Sequence, residues 1–247
     1  KYLRMWGGNV RVTLVEPNPT HYSCILSNLV VTGELGMSGT NLNYDTLRNL
    51  YGVAVLAGKA IAIDGAGNNV TVSTSTGNVV LPYDHLVLSP GIEFVPPPAG
   101  SWNPELTPHA WQAGSQTTLL KNQLAAMRND ELFVMTVPKS PYRCPPGPYE
   151  RACVVADYLK RKSRIGAKVI VLDANDKIQA EPEAFTHAFN VTHAGYIEYY
   201  PNATVQSVNS TTRSIVTSVK TVNNAKVLNY IPNQKAGVIA AALPLNA

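Results

Sequence analysis

Between residues 138 and 150 the chain reads PKSPYRCPPGPYE, with five prolines and a single glycine. A strand-like run, ELFVMTVP at 131–138, leads into this turn, and a helix-like run over about 149–163 leads out of it. A second apolar run, AKVIVLDAN at 167–175, then closes on an acid, Asp173. Strand, helix and strand at this spacing predict a βαβ unit in a parallel sheet. The turn restricts what that unit can bind. A nicotinamide site needs glycines between strand and helix, so that backbone N–H groups can approach the pyrophosphate. Proline has no N–H to donate. The outline of a dinucleotide fold is therefore expected without good NAD(P)H binding, and Asp173 reads as a structural acid.

A similar pattern opens the chain. KYLRMWG at 1–7 reads as the last turns of a helix stopped by Gly7-Gly8. NVRVTLVEP at 9–17 reads as a strand closing on Glu16. This is the second half of a βαβ unit, with its first strand and glycine turn expected before Lys1. In such folds the strand-end acid holds a ribose hydroxyl pair, which makes Glu16 a candidate ligand. Residues 17–42 read as a long loop around a short apolar helix, LSNLVVTGE, and 44–52 as another helix. Two short strands flank Gly58, and 69–91 read as a hairpin plus a further strand, HLVLS, ended by Pro90-Gly91. VPPPAGSWNPELTP at 95–108 is a proline-rich linker. Beyond it come a helix with Ser115 as N-cap, the βαβ unit, a further helix and strand, and an alternating β-meander to about residue 231. The expected fold class is α/β, with two Rossmann-like, nucleotide-binding-like βαβ domains, both incomplete at the chain ends. The division is 1–108, 109–231, and a return segment at 232–247.

Composition narrows the function classes. Hydrophobic residues make up 45% and support a sizeable core, while charged residues at 15% fall below the usual quarter or so. That balance suits a soluble or exported protein. The net charge of +4 is spread along the chain. Its densest run, LKRKSRIGAK at 159–168, reads as a helix end whose cations oppose the dipole, and no aromatic residues interleave to mark a nucleic-acid surface. No apolar run reaches the ~18 residues of a membrane span. Five histidines form no HExxH pattern and three cysteines no CxxC pattern, so no metal site is expected.

The cysteines carry the sharper reading. Cys144 precedes a helix start, where the dipole and Arg143 favour a thiolate nucleophile and the prolines fix the sulfur's direction. The alternative is a small packed thiol in a rigid loop. Glu150, in the first helical turn, is either a dipole-favoured acid or a group that exchanges protons with sulfur. Cys153 falls on an apolar helical stretch and reads as core, with a Cys144–Cys153 bridge a minor option. Cys24, in the loop after the Glu16 strand, is a packed thiol or a covalent flavin anchor.

The segments VTLVEPN, YSCILSN, PHAWQAG, YRCPPGPYERA, ADYLK and IPNQKAG resemble the flavoprotein subunit of flavocytochrome c sulfide dehydrogenase. That family lies in the FAD-dependent pyridine nucleotide-disulfide oxidoreductase superfamily. The resemblance implies FAD held covalently through Cys24, with Glu16 on the adenosine ribose, backbone around Ala60 at the adenine, and Ser89, Pro90 and Gly91 along the cofactor. It implies that Cys144 is one half of a redox-active disulfide, whose second cysteine follows IPNQKAG. Sulfide is the implied substrate, a c-type cytochrome subunit the implied partner, and the periplasm the implied location. The glycine-rich pyrophosphate loop and the closing segment are expected outside this sequence, so the piece by itself is expected not to turn over sulfide, and its retention of FAD is left open. Two rivals are weighed. One is a sulfide:quinone oxidoreductase-like flavoprotein, which would need a membrane-facing amphipathic segment. The other is a non-catalytic binding or scaffold module with packed thiols.

Overall fold

The computed structural model describes residues 1–241. It divides into two compact units, one formed by Lys1–Tyr22, Asn41–Glu93 and residues 236–241, the other by Ser23–Thr40 and Phe94–Lys235. The linear division at residue 108 is thus drawn differently in space. Residues 23–40 belong to the second unit because the apolar helix Ser27–Thr32 packs on its helices Ser115–Ala125 and Gly147–Arg161. The stretch 94–108 joins it too, through Gly100–Ser101, which pairs with Val208 and Asn209.

The second unit is built on a parallel sheet of four strands, in the order Ile197–Tyr200, Lys168–Asp173, Leu132–Val137 and Val227–Asn229. Leu132 faces Lys168 and Val137 faces Asp173 across the central pair. LFVMTV and KVIVLD are apolar without alternation because both of their faces are covered. Successive side chains point to opposite faces. Val134, Ile170, Leu172 and Leu228 share a cluster with Val208, Ile215 and Val222 of the meander, which forms its own antiparallel sheet. The helix Gly147–Arg161 packs on the central strands and buries Tyr149, Ala152, Val155, Ala156 and Leu159. Ser115 is the first helical residue rather than the cap; Gly114 precedes the helix, with no side-chain cap bond.

The first unit places Thr13–Glu16 parallel to Ala54–Ala57, so Glu16 lies at a strand's carboxyl end. An antiparallel sheet of three strands, Lys59–Asp64, Asn69–Thr74 and Gly77–Pro82, follows. The expected strand HLVLS is not formed. Residues 86–91 have no regular structure, and Val87 is 77% exposed. Among the described residues no strand pairs with it, and strand propensity alone does not hold a strand whose N–H and C=O groups lack a partner. Among the described residues, no helix is long and apolar enough to cross a membrane.

Leu172 is fully buried in the sheet-to-sheet core. Its replacement by alanine is expected to lower the unfolding free energy by about 2–5 kcal/mol, read from urea denaturation. A loss below ~1 kcal/mol would mean the two sheets close over the gap.

Candidate functional site

The proline turn does two things to the backbone. It starts the helix at Gly147, where Pro146 and Pro148 suit the first turn, and the Gly147 N–H donates to the Cys144 carbonyl at 3.0 Å. It also holds Cys144 at φ +60°, in the left-handed region that side chains with a Cβ rarely adopt. Gly147 is needed for a different reason. A Cβ there would lie 2.8 Å from the Trp111 ring and 3.0 Å from the Cys144 sulfur. The absent side chain is what lets sulfur, indole and helix start meet.

Around this point lies a cavity of about 360 Å³, lined by Cys24, Ile25, Leu26, Asn28, Ala110, Trp111, Arg143, Cys144, Glu150 and Arg151, among others. All belong to the second unit. Three sequence candidates, Cys24, Cys144 and Glu150, are therefore brought to one pocket. The three thiols are free; Cys24 and Cys144 are exposed, whereas Cys153 is only partly so, and burial pushes its thiol up to about 11. Arg143 does not pair with its neighbour Cys144. Its guanidinium donates to the Cys24 sulfur at 3.4 Å and to the Trp111 carbonyl, while the Trp111 indole N–H donates to the Arg143 carbonyl at 3.1 Å.

Beneath the pocket sits a polar network that residue patterns alone do not reveal. The Asn28 amide donates to Glu150 Oε2 at 2.8 Å and to the Gly147 carbonyl at 3.3 Å. Its Oδ1 accepts from Arg151 Nε at 2.9 Å. Arg151 also donates to the His109 and Ala110 carbonyls and to Asn229 Oδ1, and its guanidinium lies 5.0 Å over the Trp111 ring. His109 is buried, and its Nδ1 accepts from the Trp111 backbone N–H at 2.9 Å. Burial first, then the charges of Arg151 and Arg143, hold its imidazole down at about 4. Asn28, His109, Trp111 and Arg151 all fall inside recognisable segments of the sequence. The available signal was a polar residue set among apolar ones, as in LSNLVV and ERACVVA.

The two strand-end acids differ sharply. Asp173 is fully buried, and its oxygens accept from Tyr149 and Tyr199 hydroxyls and twice from Asn175. A carboxylate has about four lone-pair sites, so none is left for a ribose hydroxyl pair. Burial pushes its carboxyl up, against those hydrogen bonds. Glu16, in the first unit, is partly exposed, with Oε1 accepting from the Asn18 backbone and side chain at 2.9 and 2.7 Å. Burial and the charge of Glu16 push the nearby Tyr44 hydroxyl up. Ala60 lies in the strand after Gly58, and the Gly58 N–H donates to the Glu16 carbonyl at 3.2 Å. Ser89, Pro90 and Gly91 lie in the irregular exposed stretch of the same unit, where Gly91 turns at φ +80° and its carbonyl accepts from Gly237 at 3.2 Å.

Residues 117–232 match the model of the central part of the flavoprotein chain of sulfide dehydrogenase (flavocytochrome c). Solved structures of similar fold include the sulfide:quinone oxidoreductase of Aquifex aeolicus, with TM-score 0.75, 17% identity, and coverage of 97% of this chain and 56% of that one. An NAD-dependent persulfide reductase from A. fulgidus follows at TM-score 0.70 and 15% identity, covering 97% and 44%. A water-forming NADH oxidase of Lactobacillus brevis, bound to NADH, matches at TM-score 0.59 and 17% identity, covering 92% and 49%. The chain thus spans about half the length of these proteins. They share its mixed α/β fold with parallel sheets.

Cys144→Gly removes the left-handed strain, and is expected to be more stable than Cys144→Ala by about 0.5–1 kcal/mol in chemical denaturation. Equal stability would show that the turn relaxes around any residue. For His109 the folded value lies below the unfolded one, so the neutral ring contributes stability above about pH 6.5, lost as pH falls toward about 4. Denaturation at pH 7 and pH 5 should differ by about 2 kcal/mol from this group, and His109→Gln should remove that share of the slope.

Proposed function

We propose, for a chain whose residues 117–232 carry the central part of the sulfide dehydrogenase (flavocytochrome c) flavoprotein family, that it belongs to a flavin-dependent enzyme oxidising sulfide. Cys144 is the sulfur that meets the substrate, and Cys24 is the covalent tether of FAD. The observation that carries this reading is the second unit's pocket, which exposes two free thiols beside an apolar wall. Ile25, Leu26, Ala110 and Trp111 offer an apolar lining that suits a flavin ring, and Cys24 lines the same pocket. In the first unit, the partly exposed Glu16 at its strand end suits the adenosine ribose, with Ala60, Ser89, Pro90 and Gly91 as further contacts. When bound, FAD supplies a two-electron acceptor.

The residues themselves supply the sulfur chemistry. With Cys144 oxidised in a disulfide, hydrosulfide attacks that bond. One S–S bond forms, giving a persulfide, and one breaks, giving a thiolate, so the electron pair stays on sulfur until the acceptor takes it. Glu150, fixed by Asn28 at the pocket's edge, accepts the persulfide proton. Arg143 places a positive charge at the sulfur of Cys24. Tyr149 and Tyr199 occupy the acid that a pyridine nucleotide would need, in keeping with sulfide as the reductant. A c-type cytochrome as onward electron acceptor and a periplasmic location belong to the same reading, on the strength of the family.

In the flavin-loaded protein, Cys144→Ser is expected to keep the flavin colour while slowing its bleaching by sulfide about 1,000-fold or more. NADH should bleach it no faster than buffer. The wild-type flavin should survive acid precipitation on the peptide containing Cys24, and Cys24→Ser should release it. Wild-type bleaching in Cys144→Ser would overturn the catalytic assignment. Acid-released flavin with quinone reduction would favour the quinone-linked enzyme, and no flavin at all a non-catalytic module.

A further inference from the structure

Arg151 is 1% exposed, and it donates four hydrogen bonds. Every acceptor is neutral: the carbonyls of His109 and Ala110 and the side-chain amides of Asn28 and Asn229. Among the described residues it donates to no carboxylate. A buried charge without a directly bonded counter-ion is costly, and it draws negative charge to its surroundings. Arg151 lines the same cavity as Cys24, Cys144 and Glu150, the groups there that can carry the opposite charge. Glu150 is tied to it only through Asn28, whose amide group donates to the carboxylate while its oxygen accepts from the guanidinium. Of the basic groups on the pocket side, Arg143 points its guanidinium at Cys24 and the Trp111 carbonyl, and His109 stays neutral with Nδ1 as an acceptor.

We propose that Arg151 is a positioning residue that serves as the buried counter-charge of the pocket: it favours an anion developing on the sulfur of Cys144 or Cys24, and Asn28 fixes its plane. The inference deepens the functional reading, since the anion in question is the thiolate released in disulfide exchange. Arg151 forms no bond to either sulfur. It acts through its field, which is strong because the guanidinium is sealed from water.

The test needs neither flavin nor sulfide, so its failure is distinguishable from failure of the proposed activity. The reduced 247-residue chain is alkylated at low salt with iodoacetate, an anion, and separately with iodoacetamide, which is neutral. Modification of the Cys144 and Cys24 peptides is followed by mass. The iodoacetate-to-iodoacetamide rate ratio is expected to fall about 10-fold in Arg151→Met and to stay near wild type in Arg151→Lys. Asn28→Asp, which sets a carboxylate against the guanidinium without truncating it, should lower the ratio as Arg151→Met does. A smaller thiolate fraction slows both reagents together, whereas loosened packing speeds both and exposes Cys153 to early labelling; the ratio reads the positive field at the sulfur itself. An unchanged ratio in Asn28→Asp, or equal falls in Arg151→Met and Arg151→Lys, overturns the proposal. A preference lost wholly in Arg143→Gln and kept in Arg151→Met does so too.

Discussion

One buried guanidinium ties together four stretches of the second unit that are far apart in the chain. Arg151 reaches Asn28 in the short apolar helix, the His109–Ala110 segment, and Asn229 at the end of an edge strand, from its own place in the first turns of the helix Gly147–Arg161. Burying such a charge is unfavourable by several kcal/mol, offset by charge-assisted hydrogen bonds that must all be made together. That requirement gives the contact its ordering role. If any of the four stretches moved, a buried donor would lose its acceptor, so the helix start and the turn before it are fixed in one place.

Much of the fold was legible in the residues, for identifiable reasons. LFVMTV and KVIVLD are long, unbroken apolar runs bounded by turn formers, and a strand covered on both faces needs such a run. HLVLS looked much the same and is no strand, because its fate depends on a neighbour that propensity does not supply. The placement of residues 23–40 was hidden as well: chain order puts them after the Glu16 strand, and only packing assigns their helix to the other unit. In the site, Cys24, Cys144 and Glu150 could be named from chemistry and resemblance. Arg151 and Asn28 could not be given roles, because an arginine in a helix ordinarily reads as solvated surface. Burial is a tertiary fact, and it alone turns a routine basic residue into an unpaired charge.

The two acids show how differently one motif can be partnered. Each closes a parallel strand, and each belongs to a βαβ-like pattern. Glu16 keeps partial exposure, with local partners on one oxygen. Asp173 is consumed by Tyr149, Tyr199 and Asn175. The second unit thus keeps the outline of a nucleotide-binding fold while its own side chains fill the position that would recognise a ribose. This agrees with the proline turn, which removes the N–H donors a pyrophosphate would need. Two separate features, one in the backbone and one in side chains, point the same way.

The same features explain how the strained cysteine is kept. A non-glycine residue at φ +60° costs roughly 1–2 kcal/mol and persists only where its surroundings over-determine it. Tyr149 and Arg151, two positions apart on the helix that follows, pin it from different sides. Tyr149 is bonded to Asp173 at the end of the central sheet, and Arg151 to the network under the pocket. Tyr142 closes the turn by donating to the Pro145 carbonyl at 3.1 Å, and the Arg143 N–H is held by Gln234 at 2.8 Å. With both flanks fixed, the backbone at Cys144 has no room to relax without breaking buried hydrogen bonds. The cost of the left-handed turn is therefore carried by the helix and sheet around it, and the sulfur keeps one direction, toward the pocket it shares with Cys24.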